Sequence, residues 1–98
     1  VNIETFYRYR VEFHVKTRDW EKDAVSVEKI LKHAQSIANK KHMNKFYGSS
    51  GGLSSATYCG PYIVIEHGNK SEMKSAAGTI ISFMRKFEGI KINGANHD

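Results

Sequence analysis

Arg8 and Arg10 stand two residues apart in a segment that alternates polar and apolar residues. In an extended strand such residues share one face and lie about 6.6 Å apart. That is close to the phosphate spacing of an extended single nucleic-acid strand. A guanidinium can grip a phosphate with its fork of donors and can also stack on a base, which an ammonium cannot do. His14 and Lys16 continue the same face. Tyr62 and Glu66 join it if Ile63 and Ile65 of a later strand point inward. A flat surface carrying Arg, Lys, His and an aromatic can hold phosphates and stack bases. The plainer reading is a solvated strand face with local Glu–Arg salt bridges.

A second basic feature lies further along. Between Lys29 and Ile65 there are five lysines and no acidic residue. Lys40, Lys41 and Lys45 close this stretch, and the spacing places them on the helix side, away from the arginines. A long run without acids suits phosphate tracking. It equally suits a solvated helix whose lysines favour the negative end of the dipole.

Other groups carry less. The segment Gly48-Ser49-Ser50-Gly51-Gly52 is read as a flexible hairpin connection, because it lacks the spacing of a phosphate-binding P-loop. His14, His33, His42, His67 and His97 show no HxH or HExxH spacing, so no metal site and no cofactor are expected. His14 beside Arg10, Tyr62 and Glu66 could support metal-independent cleavage of RNA, since imidazole titrates near neutrality. Cys59 is the single cysteine. It has no visible base or anion-stabilising partner, so it reads as structural.

The elements that must position these groups follow from periodicity. Residues 5–17 alternate with Tyr7, Tyr9, Val11, Phe13 and Val15 on one face, which predicts a strand buried on one side. Asp19 or Asp23 can cap a helix reaching about Lys41, with Val27, Ile30, Leu31, Ala34, Ile37 and Ala38 as its apolar stripe. Phe46-Tyr47 opens a short strand. Tyr62 to Glu66 is a strong strand preceded by Pro61. Ser71 can cap a second helix with Met73, Ala76, Ala77, Ile80, Ile81, Met84 and Phe87 inward, and Gly89 ends it. Ile90–Ile92 is a last short strand, and residues 93–98 are expected to be a frayed tail. The order βαββαβ with right-handed crossovers predicts an α+β, two-layer, ferredoxin-like sandwich. Its four-stranded antiparallel sheet has two helices on one face, and the first and third strands at the centre.

Composition bounds the function. The 98 residues suit one domain, 1–98, and they carry 15 Lys and Arg against 10 Asp and Glu, a formal charge of +5. That excess favours anionic partners. No apolar run approaches the length of a membrane span, and charges throughout the first eighteen residues argue against a signal peptide, so a cytoplasmic setting is expected. The leading expectation is a small basic binding module for RNA or single-stranded nucleic acid, using Arg8, Arg10, His14, Lys16 and Tyr62, with Lys40, Lys41 and Lys45 in support. A small regulatory or inhibitory protein that docks on another protein is the alternative. A metal-independent ribonuclease is the second.

Overall fold

The computed structural model describes residues 6–53 and 58–97. It contains β1 (Tyr7–Val15), α1 (Trp20–Lys40), β2 (Lys45–Ser49), β3 (Gly52–Leu53), β4 (Tyr58–Cys59), β5 (Tyr62–His67), α2 (Lys70–Met84) and β6 (Ile90–His97). Four strands form one antiparallel sheet in the order β2-β5-β1-β6, with β3 and β4 pairing as a separate short ribbon. The two strands with the strongest sequence patterns, β1 and β5, are the central pair, and both helices pack on one face. This is the ferredoxin-like sandwich the element order implies.

The alternation of β1 does the sorting. Val11 and Phe13 are buried, and Tyr7, Tyr9 and Val15 pack beside them. Opposite them in register, Ile65 faces Tyr9 and Ile63 faces Val11. Helix α1 brings Val27, Ile30 and Ala34 to this surface, and α2 brings Met73, Ala76, Ala77, Ile80 and Met84. The small alanines let the helices approach the sheet closely, and Lys22–Glu88 (3.2 Å) and Lys41–Glu72 (3.2 Å) tie the two helices together at their ends.

The turn from β1 into α1 is fixed by two carboxylates with separate duties. Asp19 is the N-cap, accepting from the N–H of Glu21 at 3.1 Å and of Lys22 at 3.2 Å. Asp23 reaches back to Thr17 and accepts from its hydroxyl at 2.6 Å and its backbone N–H at 2.8 Å. At the other helix, Asn69 rather than Ser71 is the cap, accepting from the N–H of Glu72 at 3.1 Å. His67 bridges the two helix ends. Its Nδ1 accepts from the N–H of Asn69 at 2.8 Å, so its Nε2 donates to the carbonyl of Lys41 at 3.0 Å.

Three expectations are corrected. The last strand does not stop at Ile92, and residues 93–97 are not a frayed tail. β6 runs to His97 because β1 offers a full edge of backbone groups, and Tyr9 to Glu12 pair with it beyond a bulge. Gly48 and Ser49 belong to β2 rather than to a loop. Gly48 faces Ile63 on the helix side, where an added Cβ would stand 3.0 Å from Leu31 Cδ2 and 3.3 Å from the Tyr62 carbonyl. Glycine there is a close approach of strand to helix, not a sign of irregular chain. Finally, β1 spans Tyr7–Val15, so Lys16 and Thr17 lie past its end. The expected mobile connection reaches Ser55, and its residues 54 and 55 lie outside the described residues.

Two predictions follow from the corner where β1, α1 and β6 meet. Gly89 has φ +78° and a Cβ built on it would sit 2.5 Å from the Lys16 carbonyl, while Lys16 N–H donates to the Gly89 carbonyl at 3.0 Å. Gly89→Ala is therefore expected to lower stability by about 1–3 kcal/mol in chemical denaturation. Hydrogen bonds from the Thr17 hydroxyl, then from its N–H, hold the Asp23 carboxyl below its ordinary value of 3.8. A carboxyl depressed in the folded state binds fewer protons than in the unfolded chain, so its contribution is full above 3.8 and lost as pH falls through the folded value. In urea titrations across pH, Asp23→Asn should be less stable than the parent at neutral pH, and the gap should close in acid. A gap that persists unchanged in acid would mean the Thr17 contacts do not depend on the charge.

Candidate nucleic-acid interface

Because β1 gives alternate side chains to the helices, the others stand on the face no helix covers. Register places Arg8 opposite Glu66, Arg10 opposite Val64 and Glu12 opposite Tyr62. On the far side of β5, Lys45 faces Glu66, Tyr47 faces Val64 and Ser49 faces Tyr62. On β6, Lys91 lies opposite His14. The open face therefore gathers the cations Arg8, Arg10, Lys45 and Lys91 around the carboxylates Glu12 and Glu66.

A diagonal row crosses three strands of this face. Lys45 Nζ stands 5.6 Å from the Tyr47 ring centroid. Tyr47 meets Tyr62 edge-on, centroids 6.3 Å apart and planes at 82°. Arg10 lies 4.5 Å above the Tyr62 ring. The order is cation, aromatic, aromatic, cation: Lys45 and Tyr47 are i, i+2 neighbours on β2, and Tyr47–Tyr62 and Tyr62–Arg10 are diagonal neighbours on adjacent strands. Both arginines also hold carboxylates. Arg8 Nη2 is 3.1 Å from Glu66, and Arg10 Nε is 3.0 Å from Glu12. The Arg10–Glu12 pair is exposed at both ends, so it is of small worth and exchangeable, whereas Glu66 is the more covered partner of Arg8. Beneath the row sits Val64, 1% exposed although it lies on the side opposite the helix-facing core.

The expected residues divide accordingly. Arg8, Arg10, His14 and Tyr62 share the open face as the alternation implied. Lys45 does too, which corrects its assignment to the helix side: Phe46 turns inward in β2, so its neighbour turns out. Lys40 and Lys41 stay at the end of α1, with Lys41 3.2 Å from Glu72. Lys16 lies beyond β1, in a cleft at the β1–α1 corner with Arg18, Asp19 and Lys22. Tyr47 and Asn93 were not expected at the site. Tyr47 was readable from its one-residue offset from the inward Phe46. Asn93 was hidden in the supposed tail. His14 receives a hydrogen bond from Asn93 Nδ2 at 3.1 Å. His14 and Glu66 are not brought together: Glu66 pairs with Arg8, six residues along β1 from His14, about 20 Å away. Among the described residues no cluster of His, Cys, Asp and Glu is placed to hold a metal ion. No helix among them is long and apolar enough to cross a membrane.

No protein-family model and no curated protein matches the chain. Solved structures do. The crystal structure of a provisionally assigned chlorite dismutase superposes with a TM-score of 0.68 at 12% identity, covering 94% of this chain and 42% of that one. A dimeric ferredoxin-like protein of unknown function from Bacteroides fragilis superposes with a TM-score of 0.56 at 14% identity, covering 95% of this chain and 92% of its own. The chain thus spans less than half the length of the first neighbour. At these identities the likeness establishes the fold.

Proposed function

We propose that the protein is a non-catalytic binding module whose open sheet face takes single-stranded nucleic acid, RNA first. The observation that carries this reading is the row Lys45–Tyr47–Tyr62–Arg10. Aromatic rings on a flat sheet stack bases without regard to sequence, and cations at both ends of the row hold phosphates. The exposed Arg10–Glu12 pair can give up its arginine to phosphate at little cost. An overall charge of +5 supports the same class of partner. The reading is of a cytoplasmic module, with a nucleic acid rather than a regulated enzyme as partner.

A second reading rests on Tyr47 and on the dimeric neighbour. The exposed Tyr47 ring among alternating charges also suits a second copy of the chain, packed sheet to sheet with Arg8 and Arg10 meeting Glu66 and Glu12 across the interface. The two readings compete for one surface and are separable. Fluorescence anisotropy with a labelled oligouridine at low salt should show binding. Tyr47→Ala and Tyr62→Ala should each weaken it about 10-fold. Replacing Arg8 and Arg10 together by Ala should do the same and lower the salt slope by roughly one to two units. Lys40→Ala with Lys41→Ala should do less. Absence of binding, combined with a dimer by light scattering that Tyr47→Arg converts to a folded monomer, would replace this reading with the second.

A further inference from the structure

The open face is not uniformly flat. At the β1–β6 bulge it sinks into a pocket of about 380 Å³ lined by Arg10, Glu12, Tyr62, Asn93 and the Gly60-Pro61 turn beside Phe13. The bulge makes this pocket. Glu12 pairs with Gly94 and Phe13 with Ile92, leaving Asn93 as the extra residue with its side chain against His14. Bulges re-aim side chains in this way beside functional sites. The turn is fastened beneath, where Phe13 N–H donates to the Pro61 carbonyl at 3.1 Å.

We propose that this pocket holds a guanine base, an inference that rests on the nucleic-acid reading of the same face. The pocket presents a carboxylate acceptor, a guanidinium donor and a carboxamide around an aromatic floor. A carboxylate has two acceptor oxygens side by side. Guanine alone among the four bases offers two adjacent donors, N1–H and the 2-amino group, on its Watson–Crick edge. Adenine and cytosine set a ring-nitrogen acceptor beside their amino group, which a carboxylate repels. Uracil flanks its single N–H with two carbonyls. Glu12 uses Oε1 on Arg10, through a pair exposed enough to exchange. When guanine takes Glu12, the released Arg10 guanidinium remains over Tyr62 and offers its flat face for the base to stack on. A site built on such donors and acceptors rejects bases that leave them unpaired.

The test is competition anisotropy with uridine pentamers whose central base is uracil, guanine, adenine or hypoxanthine, against parent protein and Glu12→Gln. The central guanine should compete about 10-fold better than adenine. Hypoxanthine, which lacks the 2-amino group, should fall between them. Glu12→Gln should erase the preference, so that guanine-centred and adenine-centred pentamers compete equally. Guanosine monophosphate alone should compete poorly; competition equal to the pentamer's would overturn a site for a strand in favour of one for a free nucleotide. Equal affinity for all four centres would overturn the guanine pocket and leave the single-strand reading standing. A guanine preference that survives Glu12→Gln would place the base elsewhere and also overturn it. Failure of every oligomer to bind would remove both readings.

Discussion

A central strand can give only every second side chain to a core, because its side chains alternate strictly across the sheet. In this protein both helices lie on one face, so half of β1 and β5 must stand on a surface that neither helix covers. Everything proposed for function lives on that uncovered half. The inward half is settled by burial: Phe13, Ile63 and Ile65 are at most 1% exposed, and a slip of one residue would exchange them for Glu12, Tyr62 and Val64. The register that protects the core is the same register that sets Arg8 against Glu66 and Arg10 near Tyr62. Fold stability and surface chemistry are therefore not independent choices here.

The outer face is held together by weaker forces than the inner one. Its ion pairs are solvent-exposed, and such pairs typically contribute well under 1 kcal/mol. Its aromatic contacts add about 0.5–1.5 kcal/mol each beyond their area. A surface built from contacts of this size keeps its side chains in place without locking them. It is organised before a ligand arrives and can still exchange partners when one does. That combination lowers the ordering cost of binding, which is where preorganised surfaces gain affinity.

How much of this was readable from the chain depended on how local the cause was. The pattern of β1 predicted its two faces, and the continuous apolar run of β5 predicted its central place. The Asp19 cap is likewise local, whereas α2 ends at Met84, short of the expected stop at Gly89, and leaves Phe87 beyond the helix. What escaped were features set by a partner strand. Residues 93–97 look like a polar tail, yet the unpaired edge of β1 recruits them into β6. Gly48 looks like a loop residue, yet the approach of Leu31 makes a side chain there crowded. Lys45 looks like the tail of a basic helix, yet Phe46 beside it is the residue the core takes, and parity sends Lys45 to the other side.

That last placement changes the electrostatics of the site. With Lys45 on the helix side, the open face would hold Arg8, Arg10 and Lys91 against Glu12 and Glu66, nearly neutral. With Lys45 opposite Glu66, the face carries a further cation at the β2 edge, beyond the aromatic pair. Glu66 then has Arg8 on one side and Lys45 on the other, and its side chain is 15% exposed. One carboxylate cannot neutralise two cations, so the Lys45 end of the row keeps a net positive field while Arg10, at the opposite end, is balanced by Glu12 until a ligand takes its place. A strand lying along the row would meet its strongest phosphate attraction at the β2 edge and its most selective polar contacts at the β6 bulge, so that affinity and discrimination are drawn from opposite ends of one surface.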